Sequence, residues 1–177
     1  PYLNLDKPWY DKDCIDTYMV NDKVYFVTND LSFCDDDLMI VMYFNKKMIT
    51  DFSLDNPYDI VRNNKWTFDK FYEMSKEITA DMNDEGEFND EDRYGFATSR
   101  EQVPVCFLTG FDIPLAKRED DTFKLNLTNQ KAIDGTELIK TMWNDVDAIY
   151  QKSIASGNRT MWNNMFEDSR LLFFSLI

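Results

Sequence analysis

The acidic stretch DMNDEGEFNDED, residues 81–92, has the residue types and spacing of a calcium-binding loop. Loops of the EF-hand type place oxygen ligands at positions 1, 3, 5, 7, 9 and 12, with a glycine at position 6 for the sharp turn. A glycine, Gly86, stands at the sixth position of the stretch. The ligand positions are filled, in order, by Asp81, Asn83, Glu85, the carbonyl of Glu87, Asn89 and Asp92. The spacing therefore predicts that this loop binds a calcium ion.

Two departures from the EF-hand pattern keep a second interpretation open. Glu85 is longer than the usual Asp or Asn, and Asp92 is shorter than the Glu that chelates with both oxygens at position 12. A single loop without a partner loop also argues against a calcium sensor. Calcium would then act as a structural clamp between a helix and the next strand. The alternative is a solvated acidic turn held by its own hydrogen bonds.

The charge and composition of the chain exclude several classes of function. The 177 residues carry a formal net charge of -14, which argues against nucleic acid or an anionic membrane as a partner, because both require a basic surface. The absence of histidine excludes His-dependent triads and His-ligated zinc within this chain. A glycosidase that uses two of the 33 acidic residues remains an alternative, although these acids lie mostly in polar runs.

The three cysteines, Cys14, Cys34 and Cys106, are widely spaced and form no CxxC pair. A zinc cluster or a redox motif is therefore not indicated, and buried free thiols are the expected state. No apolar run approaches the roughly 20 residues of a membrane helix.

Sequence periodicity predicts helices that alternate with strands. Helices are expected over residues 5–20, 53–64, 65–79, 101–112, 127–153 and 162–170, and strands over 23–29, 38–45, 93–99, 122–125 and 171–176. The strand at 38–45 is expected to be the more buried of the first two. Thr67 and Thr128 are the predicted N-caps of the two clearest helices, the first of which has an apolar face formed by Phe68, Phe71, Ser75 and Ile78. Strands separated by helices predict a mixed α/β layer structure.

Four sequence blocks occur in an order and spacing that are typical of one known family. They are YFNK (43–46), NPYDIV…KWTFDKF (56–71), D-x-N-x-x-G-x-x-x-x-x-D-R-Y-G-F (81–96) and MFEDSRLLFF (165–174). The chain thereby resembles the extracellular solute-binding proteins of bacterial ABC importers, in the sugar-binding group that includes maltose-binding protein. The resemblance covers nearly the whole chain and depends on the joint order of blocks that are individually weak.

This resemblance implies one lobe of a type II periplasmic-binding-protein-like α/β fold, with a small central sheet flanked by helices. Members of the family have two lobes joined by a hinge and hold the ligand between them. Residues 1–28 would approach from the first lobe and the hinge, and residues 29–177 would form the second, C-terminal lobe, incomplete here. The start at Pro1 and the apolar end LLFFSLI agree with a piece of a longer protein.

The resemblance also implies a function and a set of site residues. The protein would be a non-enzymatic, extracellular or periplasmic binding protein that delivers a sugar or oligosaccharide to ABC permease subunits, with membrane attachment only through a lipid anchor outside this sequence. By analogy, Asp35 and Asp37 near the hinge, and Arg100 and Gln102 after the strand YGFATS, would face the ligand. A solvated turn is the alternative for the two aspartates. A calcium-stabilised module with a protein partner is the alternative function.

Overall fold

The computed structural model describes residues 2–32, 40–98, 102–119, 122–145, 147–150 and 159–176. Within these ranges the chain forms seven helices and five strands. In chain order they are α1 (Lys12–Tyr18), β1 (Val41–Phe44), α2 (Lys46–Asp51), α3 (Pro57–Arg62), α4 (Phe68–Ile78), β2 (Tyr94–Ala97), α5 (Gln102–Gly110), β3 (Ala116–Glu119), β4 (Thr122–Leu125), α6 (Gln130–Trp143), α7 (Arg159–Glu167) and β5 (Leu171–Leu176). Among the described helices, none has the length and apolarity needed to cross a membrane.

A three-stranded sheet in the order β1-β5-β2 forms the centre of the molecule. Strand β5 runs parallel to β2, with Phe96 opposite Phe173, and antiparallel to β1, with Val41 opposite Leu176. Strands β3 and β4 form a separate antiparallel hairpin. A small sheet with helices packed against it confirms the predicted α/β fold class.

Helix α4 is the element that packs most closely on the central sheet. Its N-cap is Thr67, as predicted, because the Thr67 hydroxyl oxygen accepts a hydrogen bond from the Lys70 N–H at 3.2 Å. The buried side of the helix carries Phe71, Met74, Ser75 and Ile78. The sequence period of 3.6 residues therefore identified the core face of this helix correctly.

The apolar core consists of two clusters of buried side chains. The larger cluster lies between the sheet and the five helices from α2 through α6. It contains Met48, Ile60, Phe71, Met74, Leu108, Ile139, Met142, Leu172 and Phe173. The smaller one places α7 against β5 and contains Tyr94, Ala97, Tyr150, Trp162, Met165, Leu171 and Phe174. Strand β5 contributes to both clusters, so the run LLFFSL is the apolar centre of the fold.

Of the first two predicted strands, the structure confirms the second and not the first. Residues 23–29 form no strand and make only single bridges, Val20 with Lys23 and Tyr10 with Asn29. Tyr25 and Phe26 are 70% and 54% exposed, so this segment has β-forming residues without a sheet to join in the described residues. The second prediction was correct for β1. This strand lies at the edge of the sheet with its first three residues exposed, yet Val41 and Met42, at 36% each, are less exposed than Tyr25 and Phe26.

Helix α6 is shorter than predicted, and two elements were not predicted. It begins after Asn129, whose side chain accepts the Ala132 N–H, so the predicted N-cap Thr128 is wrong by one residue. It ends at Trp143, after which Ile149 is buried by a bridge to Phe96 rather than by helical packing. The unpredicted elements are α2, capped by Asn45, and β3, which completes the hairpin with the predicted β4.

Candidate functional site

The carboxyl ends of the two parallel strands define the candidate ligand site. In open α/β sheets, ligands bind in the crevice outside the carboxyl ends of the strands. Strands β2 and β5 are parallel neighbours, so both end at the same edge of the sheet. The antiparallel strand β1 begins at this edge, since Val41 lies opposite Leu176. Three chain segments therefore enter or leave the sheet at one place.

Two buried hydroxyl groups mark this edge. Thr98 follows β2 and is fully buried, and Ser175 near the end of β5 is 7% exposed. Their hydroxyl oxygens lie 2.6 Å apart and share a hydrogen bond. The sequence analysis did not identify this pair. The signal available in the sequence is a hydroxyl residue near the end of each of two apolar strand runs, Thr98 after YGFA and Ser175 after LLFF.

Helix α5 begins directly after this edge, with Gln102 as its first residue. The N-terminus of a helix carries a partial positive charge and favours polar or anionic groups. Within α5, burial raises the pKa of the Cys106 thiol, so the thiolate form is disfavoured. Cys14 and Cys106 are free thiols, as expected, but each is half-buried rather than buried. Cys34 lies outside the described residues.

The residues predicted to contact the ligand are largely outside the described part of the chain. Asp35, Asp37 and Arg100 belong to residues that the structure does not describe, and only the backbone of Gln102 is described, as the start of α5. The described elements on either side of these residues are the start of β1, the end of β2 and the start of α5. Ligand contact by these four residues stays a prediction.

The acidic loop 81–92 closes on itself through backbone hydrogen bonds. At its base, Ala80 and Arg93 exchange two backbone hydrogen bonds of 3.0 and 3.1 Å. Asp81 accepts the Asn83 N–H at 3.2 Å and the Gly86 N–H at 2.9 Å through its two carboxylate oxygens. Gly86 has φ of 77°, the left-handed conformation that the glycine at this position was expected to supply.

Asp92, the last predicted calcium ligand, is fully buried. Its carboxylate oxygens accept the backbone N–H groups of Met82 and Asn89, each at 2.7 Å. The next residue, Arg93, donates from Nε to the carbonyl of Ile78 at the end of α4 at 2.7 Å. The connection between helix and strand that calcium was expected to clamp is thus already made by a buried carboxylate and a guanidinium.

Two of the other predicted calcium ligands accept backbone N–H groups of the loop, and two are exposed. The Asn83 side chain accepts the Glu85 N–H and the Asn89 side chain accepts the Glu91 N–H, while the side chains of Glu85 and Glu87 are exposed. In the described ranges, no three or more His, Cys, Asp or Glu side chains are placed so that they could hold a metal ion. The geometry matches the alternative of a self-bonded acidic turn, and calcium binding stays a prediction.

A second polar cluster, formed by Tyr72, Lys76 and Asp145, connects α4 to the turn after α6. Asp145 accepts a hydrogen bond from the Tyr72 hydroxyl and pairs with Lys76 Nζ at 3.0 Å. Burial, together with the Asp145 carboxylate, raises the pKa of Tyr72 to about 12. Burial acts to raise the pKa of Asp145, but the hydrogen bonds from Tyr72 and Lys76 lower it below its usual value. A glycosidase acid requires a raised pKa, so this carboxyl group does not suit that role.

An apolar cavity of about 230 Å³ lies beside β1 and the start of α4. Its lining consists of Met42, Phe44, Pro57, Tyr58, Val61, Trp66 and Phe173. Trp66 packs edge-on against Phe173, with ring centroids 5.8 Å apart. Among these side chains, only the phenol of Tyr58 and the indole of Trp66 can form hydrogen bonds. The cavity therefore suits an apolar group better than a sugar.

Comparison with known proteins finds a similar fold in solved structures of low sequence identity. No family model and no curated protein sequence matches the chain. Among solved structures, the chain is similar to a cyclo/maltodextrin-binding protein complexed with maltotetraose, at 14% identity and a TM-score of 0.56, with 95% of this chain and 37% of that one covered.

Two further structures have the same fold. One is an ABC substrate-binding protein from Listeria monocytogenes in complex with cycloalternan, at 13% identity and a TM-score of 0.56, with 94% of this chain and 37% of that one covered. The other is UspC from M. tuberculosis, at 16% identity and a TM-score of 0.59, with 98% and 43% covered. The present chain thus spans less than half the length of each of these proteins. The similarity confirms the predicted resemblance at the level of the fold.

Proposed function

We propose that this chain is the ligand-binding lobe of an extracellular solute-binding protein that delivers a carbohydrate to an ABC importer. The observation that carries the proposal is the sheet edge at which β2 and β5 end and β1 begins, in a fold shared with proteins that hold maltotetraose and cycloalternan. Residues 1–28 are proposed to lead in from the companion lobe, and residues 29–177 to form the second lobe.

A binding lobe of this kind acts by closure rather than by chemistry. A ligand stabilises the closed form by its extra affinity for that form, so two lobes must each supply part of the contact surface. We propose that Asp35, Asp37, Arg100 and Gln102 supply hydrogen bonds to sugar hydroxyls from this side. The permease subunits would recognise the closed pair of lobes outside the membrane, and a lipid anchor in a longer chain would keep the protein at the cell surface.

Thermal-shift screening of oligosaccharides tests this proposal. A ligand at 100 times its Kd stabilises the native state by about 2.7 kcal/mol. A protein with both lobes is roughly twice as long as this chain and has about twice its unfolding entropy, so this corresponds to a rise in Tm of about 3–5 °C. We expect such a rise with at least one oligosaccharide for this chain joined to a companion lobe, and a much smaller one for this chain alone. Tight binding by this chain alone would contradict the two-lobe mechanism.

Two measurements address the alternative functions. Release of reducing sugar from an oligosaccharide, lost on replacement of two carboxylates, would favour the glycosidase. A calcium-dependent rise in Tm would favour the calcium-stabilised module. The second alternative is supported by the ligand spacing of residues 81–92 and by the left-handed turn at Gly86, the glycine position of such loops.

A further inference from the structure

The hydrogen bond between Thr98 and Ser175 joins the two parallel strands at the proposed ligand edge. Both side chains are buried, at 0% and 7% exposure, and the oxygen-to-oxygen distance is 2.6 Å. The register places them side by side, since Ala97 lies opposite Phe174 one residue earlier. Ser175 also lies opposite Met42 of β1, so the Thr98–Ser175 pair lies where all three strands of the sheet are adjacent.

The surroundings of this pair are apolar. Ala97 precedes Thr98, and Phe174 precedes Ser175, and both neighbours belong to a buried apolar cluster. Replacing both partners of a buried hydrogen bond by apolar groups of the same shape is nearly neutral for stability. Replacing only one removes this hydrogen bond while the other hydroxyl stays buried, which is costly. The hydroxyl pair therefore adds little stability over an apolar pair, but it fixes a distance and a direction between the two strand ends.

We propose that Thr98 and Ser175 are positioning residues for ligand binding, in that their hydrogen bond sets the relative position of the ends of β2 and β5. The inference rests on the proposed function. Gln102, the first residue of α5, follows Thr98 by four residues, a chain length that spans at most about 14 Å. The relative position of Thr98 and Ser175 therefore sets where β2 ends relative to β5 and to the start of β1.

Amide hydrogen exchange, followed by NMR on the full chain, tests the positioning without any ligand. The variants are Thr98→Val, which keeps the shape of the side chain, Ser175→Ala, the double variant and Thr98→Ser, which keeps the hydroxyl. We expect exchange about 10-fold faster in Thr98→Val and in Ser175→Ala at Ser175 and Leu176, and unchanged at Leu171 at the other end of β5. Thr98→Ser should restore the wild-type rates.

A purely structural role gives a different exchange pattern. In that case exchange accelerates equally at both ends of β5, in proportion to the loss of global stability. Equal acceleration at Leu171 and Leu176, or no change at either residue, would overturn the inference.

Calorimetric titration of maltotetraose into the full-length protein with both lobes tests the consequence for binding. We expect Kd to rise about 10-fold in Thr98→Val and in Ser175→Ala, to rise no further in the double variant because both act through one bond, and to recover in Thr98→Ser. An unchanged Kd in Thr98→Val would overturn the inference. If the wild-type protein binds no oligosaccharide at all, the proposed function fails, and the exchange pattern alone decides whether the pair positions the strand ends.

Discussion

Replacement of Gly95 by alanine tests the closest contact between α4 and the sheet. Gly95 lies in β2, fully surrounded by the core, and donates its backbone N–H to the Thr79 hydroxyl at 3.1 Å. A Cβ atom added here would lie 2.1 Å from the backbone carbonyl oxygen of Ser75 and 2.2 Å from its Cα. Real Cβ atoms essentially never approach another heavy atom within 3.0 Å.

The size of the effect follows from this distance. To reach 3.0 Å from the present 2.1 Å, the backbone of α4 must move away by about 0.9 Å. The atoms in the way belong to the main chain, so no side-chain rotation relieves the contact. Moving α4 separates Phe71 and Met74 from the core they fill. Overpacking of a core costs about 1–3 kcal/mol, and we expect about 3 kcal/mol here because the helix moves as a unit.

Thermal unfolding followed by circular dichroism measures this effect. For a chain of this size, about 3 kcal/mol corresponds to a fall in Tm of about 6–12 °C. Gly110→Ala is the matched control, because its Cβ has no heavy atom within 4 Å and its helical position favours alanine, so Tm should stay the same or rise slightly. A fall of less than about 2 °C for Gly95→Ala would refute the argument that α4 requires a glycine here.

Three further predictions concern the polar clusters. Tyr72→Phe should destabilise the protein by about 1–2 kcal/mol in urea unfolding at pH 7, because it removes the hydrogen bond to Asp145. Since folding raises the pKa of Tyr72 from 10.0 to about 12, its contribution to stability is complete below pH 10 and is lost as the pH rises through 12, and the variant should lack this loss. Asp92→Ala should cost about 3 kcal/mol, because two backbone N–H groups lose their acceptor, whereas Glu87→Ala at an exposed position should change stability by less than about 0.5 kcal/mol. If the loop 81–92 binds calcium with a Kd near 10 μM, 1 mM calcium should raise Tm by about 5–11 °C while an equal concentration of magnesium does not, and an unchanged Tm would favour the self-bonded turn.

Local signals account for the parts of the fold that the sequence predicted well. Helix α4 begins at the predicted N-cap Thr67, and Pro57 occupies the first turn of α3, where its missing N–H costs little. Each of these features depends on residues within one turn of each other. The apolar run LLFFSL similarly predicted a buried strand, because few other environments accept such a run.

Contacts between residues distant in sequence decided the remaining features. The residues of 23–29 favour a strand, but a strand also requires a partner, and sequence patterns do not say whether one is present. Strand β1 is an apolar run, yet its first three residues are exposed, because β5 lies on one side of it and no described strand lies on the other.

The candidate sites show the same division. The sequence determined the composition of the acidic loop and the position of Gly86, because both follow from spacing within 12 residues. Only the tertiary structure decided that Asp92 is buried and accepts hydrogen bonds from two backbone N–H groups. It also decided that Thr98 forms a hydrogen bond with Ser175, 77 residues away. The physical reason is that side-chain type fixes which hydrogen bonds are available, whereas burial and long-range strand pairing select the ones that form.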